Sequence, residues 1–173
     1  PCRIYGGISF YQRKEIKDML AYFRLAVNPR DEEALLRVIN YPVRGIGKTS
    51  IEKIVATADE AGKSVYEVIE NPEAVQLMLP SGTRSKIGEF VMMIRSFAAH
   101  LKSRDAYDLA KHIASSSGLL KALYEDKTPE GVSHYENLEE LLNAIKEFTE
   151  KERNPDESTG EIDTSIRTLD EFM

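Results

Sequence analysis

The stretch Arg44-Gly45-Ile46-Gly47-Lys48-Thr49-Ser50 holds residue types that handle phosphate: glycines that let backbone come close, a lysine and two hydroxyls. Its last residues read as the end of a nucleotide-binding loop, GxxxxGK[ST]. That signature needs a glycine five positions before Gly47 and a buried strand leading into it. Position 42 is a proline, which has neither the flexibility nor the N–H that a phosphate cradle uses. The preceding residues carry apolar side chains at Ala34, Leu35, Val38 and Ile39, the spacing of a helix face. The sequence therefore predicts no ATP site here, and these residues need another function.

Without the loop reading, EALLRVINYPVRGIGKTSIEKIVATA is a helix, a tight turn and a second helix. Glycines permit the positive φ that such a turn needs, and Ile46 between them is placed to plug down between the helices. The second helix begins right after Gly47, so its free N–H groups and positive dipole end face outward. Such an end binds phosphate through the backbone, whatever the base sequence. Lys48 adds charge, and Thr49 and Ser50 add hydroxyls. The pattern resembles the helix-hairpin-helix motif, a non-specific binder of the DNA backbone. The alternative is a hairpin that is only structural. A second turn, IASSSGLLKAL around Gly118, has one glycine and reads as structural.

Other chemistry is sparse. His100, His112 and His134 lack metal-ligand spacing, and HExxH and CxxC are absent. The carboxylates fall on solvent faces, where a general acid–base pair is not expected. The single cysteine, Cys2, cannot form an internal disulfide, which fits a reducing, cytoplasmic setting. The expectation is a chain with no catalytic residue, cofactor or metal of its own.

The elements that carry these residues read as almost entirely helical. The exception is a strand-like Cys2–Tyr5 ending in Gly6-Gly7, a natural pivot. Ser9 with Gln12, Thr49 with Glu52 and Ser64 with Glu67 have the spacing of capping boxes. The first opens a helix with an apolar stripe at Ile16, Leu20, Phe23 and Val27. Further helices are expected over 31–40, from Thr49 to 61, from Ser64 to 71, after Gly82 (Ile87, Phe90, Val91, Ile94, Phe97, Ala98 and Leu101 inward), and over 105–116, 119–126, 135–153 and 168–173. Met92 and Met93 read as packing residues. Residues 153–164 are charged and breaker-rich, the composition of a flexible acidic loop. The prediction is one all-α domain over 1–173, an irregular bundle of eight to ten helices, with residues 1–7 as hinge or strand.

A chain of 173 residues suffices for one domain with a real core, and no apolar run is long enough to span a membrane. The net charge of −6 is uneven. Residues 1–58 carry 10 Lys/Arg against 6 Asp/Glu, residues 59–124 carry 8 of each, and residues 125–173 carry 5 against 15. A basic first third and an acidic last third suit one face that meets a polyanion and another that repels it, or two ordinary solvated surfaces. The chain begins PCRIYGG without an initiator Met, as an excised internal segment would.

RIYGGISFYQRKEIKDMLAYFRLAVNPRDEEALLRVINYPVRGIGKTSIEKI resembles one continuous block of the UvrD/PcrA/Rep family of superfamily 1 DNA helicases. ENLEELLNAIKEF, residues 136–148, resembles a second block, and SIRTLDEFM a closing one. The resemblance implies the 2B subdomain, an all-helical insertion in the second motor domain of an ATP-dependent 3'-5' helicase. ATP and Mg would then be bound by the parent's motor domains, which are the partners of this domain in the same chain. The family's 2B swivels on hinges, here matched to Gly6 and Gly7, and grips duplex DNA when closed. By position the resemblance assigns DNA contact to Lys17, Arg44, Gly45, Ile46, Gly47, Lys48, Thr49 and Ser50. Cys2 stands where an aromatic is common and His134 where an arginine often precedes the second block, which puts the hinge packing and that block's details in question. Two other readings remain: a stand-alone helix-hairpin-helix adaptor, and a protein-interaction module working through the acidic helix 136–152.

Overall fold

The computed structural model describes residues 7–151 and 165–173. The expected strand over 2–5, Gly6 of the hinge and the loop 153–164 lie outside the described residues. The described part is all-α: α1 (Gly7–Tyr11), α2 (Lys14–Val27), α3 (Glu32–Val38), α4 (Lys48–Ala61), α5 (Val65–Glu70), a 3₁₀ turn (Pro72–Val75), α6 (Ser81–His100), α7 (Ala106–Ser116), α8 (Leu119–Glu125), α9 (Pro129–Glu150) and α10 (Leu169–Phe172).

Helix α2 is the hub, packing against α1, α3, α6, α7, α9 and α10. The expected single stripe underestimates it. Ile16, Met19, Ala21, Tyr22, Phe23, Leu25 and Ala26 are all buried, whereas Val27 is exposed and Leu20 only partly covered. Burial on nearly every side, with Glu15 and Asp18 covered as well, places α2 inside the bundle. The α6 face follows the expected periodicity, with Ile87, Phe90, Val91, Ile94, Phe97 and Leu101 buried. Met93 packs against the core, but Met92 is exposed, contrary to expectation.

Capping decides where several helices start. Ser64 and Glu67 form the expected reciprocal box. Ser9 does not cap: it lies inside α1, and α2 starts afresh after Arg13 without a side-chain cap. Helix α9 begins two turns before the expected position. The Thr128 hydroxyl accepts from the Gly131 amide at 3.1 Å, and Pro129 occupies the first helical position, where its missing N–H costs nothing. The C-terminal segment closes back onto the bundle. The Ala106 amide donates to the Arg167 carbonyl at 2.7 Å, Phe172 packs edge-on against Phe148, and α10 rests on α7 and α2.

Candidate nucleic-acid interface

The turn between α3 and α4 is built from inside outward. Asn40, at the end of α3, turns its side-chain carbonyl into the loop and accepts from the amides of Arg44 at 2.9 Å and Ile46 at 3.1 Å. Those two bonds curl the chain so that Ile46 points down and is fully buried, as expected from its place between two glycines. Gly45 sits at φ +89°, a conformation side chains resist. Gly47 does not share this constraint. Its φ of −73° is ordinary, and a Cβ there would meet nothing within 4 Å. Only one of the two glycines is therefore required by backbone conformation.

Gly47 is the N-cap of α4 and supplies no side-chain cap. The expected Thr49–Glu52 box is absent, because the helix starts earlier and Thr49 lies within its first turn. The first helical bond is Ile51 N–H to Gly47 carbonyl, 3.1 Å, so the amides of Lys48, Thr49 and Ser50 precede the ladder. No acidic residue lies in the first turn of this 14-residue helix. Lys48 and Thr49 are exposed and Ser50 is partly covered. The Lys48 ammonium is 3.9 Å from Glu52, a weak surface pair. The arrangement offers an anion free amides, a positive dipole end, hydroxyls and an exposed cation.

Arg44, expected to face DNA, is turned inward instead. Its guanidinium donates to the carbonyls of Val38 (2.7 Å), Tyr41 (3.2 Å) and Ser117 (3.0 Å) and to the Tyr22 hydroxyl. Its carbon stands 5.2 Å from the Phe90 ring centroid and 5.6 Å from that of Tyr22. The Val38 carbonyl also accepts from the Tyr41 amide at 3.1 Å, and a planar cation with five donors adds further bonds to the carbonyls that follow α3. The Tyr22 hydroxyl donates in turn to the Tyr41 carbonyl. Burial pushes the Tyr22 phenol up from 10 to about 12, against the opposing pull of Arg44.

The second turn buttresses the first. Gly118, at φ +82°, lies beside Pro42, whose Cγ would be in ordinary contact, 3.7 Å, with a Cβ there, so it is the backbone conformation that favours glycine. Lys17 lies exposed on α2 with no ion pair among the described residues. It is one helical turn from Lys14, whose ammonium sits 3.9 Å over the Tyr41 ring in the first hairpin. Of the hinge residues, Gly7 is the first residue of α1.

Sequence reasoning missed Asn40, Tyr22 and Ser117. Asn40 was detectable, since an Asn before a turn commonly accepts from amides a few residues on. Tyr22 and Ser117 were not, because their contacts join distant segments. It also missed a buried pair of carboxylates on α2. Asp18 is held by Lys14 at 2.7 Å and Arg37 at 2.8 Å. Among the described residues the ion-pair contact of Glu15 is His134, with Nε2 at 3.3 Å from its Oε2. Among the described residues no group of three or more His, Cys, Asp or Glu could hold a metal ion. No described helix is long and apolar enough to cross a membrane.

Comparison with known proteins gives this geometry a context. Residues 1–172 match the family model described as UvrD-like helicase C-terminal domain. The chain is 34% identical over 152 residues to the ATP-dependent DNA helicase PcrA of Bacillus subtilis, covering 86% of this chain and 20% of that protein. It is 32% identical over 157 residues to DNA helicase II of Escherichia coli, covering 90% and 22%. It is 36% identical over 155 residues to a probable DNA helicase II homolog of Rickettsia conorii, covering 87% and 23%. The chain thus spans little more than a fifth of the length of these relatives.

Proposed function

The chain belongs to the UvrD-like helicase C-terminal domain family, and on that premise we propose that it is the 2B subdomain of an ATP-dependent 3'-5' DNA helicase and binds duplex DNA. The observation that carries this reading is the uncapped start of α4, raised on a turn whose Gly45 and buried Ile46 hold it in place. A sugar-phosphate backbone is the ligand whose charge and repeat suit it, and contact through amides does not depend on base sequence. The contact set is Gly45, Gly47, Lys48, Thr49 and Ser50, with Lys17 contributed from the exposed side of α2. Ile46 and Arg44 hold the turn from beneath.

On this reading ATP and Mg belong to the parent's motor segments, and this domain regulates unwinding without turning over nucleotide. Gly6-Gly7 and residues 153–164 are the swivel points. Both α1 and α10 pack on α2, which supports entry and exit at neighbouring points. The setting is cytoplasmic. The test is titration of a fluorescent duplex with the 173-residue chain. Micromolar or weaker affinity, equal for unrelated sequences and lost on raising salt, supports the proposal; absence of binding at low salt contradicts it.

A further inference from the structure

Arg44 is a half-buried cation, and among the described residues no carboxylate lies within ion-pair distance of it. Its partners are neutral oxygens, and they belong to three separate segments: the end of α3, Tyr22 on α2, and Ser117 in the second turn. Phe90 of α6 closes the stack. Satisfying the α3 carbonyls alone would not require the bond to Ser117, 73 residues away. That bond joins the second turn to the first, and Pro42 of the first turn lies beside Gly118 of the second. The Ser117 hydroxyl accepts from the Leu119 amide at 3.2 Å, so the same residue organises the start of α8.

We infer that Arg44 is a positioning residue: it locks the two hairpin turns into one rigid unit and so presets the α4 N-terminus for the duplex, without touching DNA itself. The inference rests on the DNA-binding reading above. A lysine keeps the charge but offers one ammonium in place of a planar fork, so it cannot serve the three segments together.

The test is Arg44→Lys in the 173-residue chain, with amide hydrogen exchange read by NMR and duplex affinity read by fluorescence. The Ile46 amide reports the first turn and the Gly118 and Leu119 amides the second. The lock predicts that all three exchange about tenfold faster or more, while Leu141–Ile145 in α9 is unchanged, since local opening differs from global loss of stability. Duplex affinity should fall about fivefold or more despite the retained charge. Tyr22→Phe, which removes one of the Arg44 acceptors together with the hydroxyl's own donation to the Tyr41 carbonyl but keeps the bond to Ser117, should shift the same amides by less and guards against misfolding of the lysine variant. Faster exchange in one turn only, or in neither, overturns the lock. Faster exchange at both with unchanged affinity overturns the role in presentation. If the wild-type chain binds no duplex, the preceding proposal fails instead, and the exchange data still decide whether the turns are locked.

Discussion

The guanidinium of Arg44 and the carbonyl of Ser117, 73 residues apart, are joined by a 3.0 Å hydrogen bond that ties the two turns of the bundle together. In the proposed phosphate contact the amides of the α4 start cannot adjust as side chains do, so their contribution depends on how firmly that backbone is held. The inward arginine, the buried Ile46 and the Asn40 side chain supply that hold.

The two glycines should respond differently to alanine. Gly45→Ala forces a side chain onto φ +89° and should cost about 1–2 kcal/mol of stability, with loss of duplex binding. Gly47→Ala meets no clash and no strain, so its thermal midpoint should match the wild type. Its affinity should fall, because the added methyl stands where a phosphate would approach. Equal melting losses for both variants would contradict this account.

Alkaline stability should report Tyr22. A phenol raised from 10 to about 12 is more easily kept neutral in the folded state. Its contribution is fully present below pH 10 and is lost as pH climbs from 10 to 12, by roughly 2–3 kcal/mol. Burial also raises Tyr41, Tyr66 and Tyr135, which share the direction. Tyr22→Phe should therefore flatten part of the alkaline decline in urea midpoints. An unchanged decline would place the effect elsewhere.

Glu15 depends on His134. Among the described residues its Oε2 is buried with no hydrogen-bond partner, and the His134 imidazole nitrogen stands 3.3 Å away. His134→Ala should destabilise the fold by about 1–3 kcal/mol, and adding Glu15→Gln should recover part of the loss, since the stranded charge is then gone. A double variant no better than His134→Ala would count against the pairing.

In the parent chain, replacing this segment by a short linker should leave DNA-stimulated ATP hydrolysis in place while changing unwinding. Loss of ATP turnover would refute the reading of the domain as a regulatory insertion.

The helices and their inward faces were legible where burial is one-sided. The α6 spacing from Ile87 to Leu101 predicted its core face, but α2, buried nearly all round, gave a stripe that was too narrow. Ile46 was legible because an apolar residue between two glycines has few other uses. The inward contacts of Arg44 were not legible for a physical reason: a basic residue beside a phosphate-type loop suggests an anion, and only the fold reveals the carbonyls and aromatic rings around its guanidinium. The start of α9 was written in Thr128-Pro129, a cap and first-turn proline that the search for apolar periodicity passed over.

The central claim is that the α4 N-terminus and Lys17 meet a duplex backbone. The most direct measurement is duplex affinity against salt for the wild type and for Lys17→Glu with Lys48→Glu. The account predicts wild-type Kd of roughly 10⁻⁴ to 10⁻⁶ M, with log K falling against log salt at a slope of about −3, as for three or four phosphates. The double variant should lose at least about tenfold in affinity, with a slope shallower by about 1–2 units. Unchanged affinity and slope in the double variant would contradict the assignment of this face to DNA.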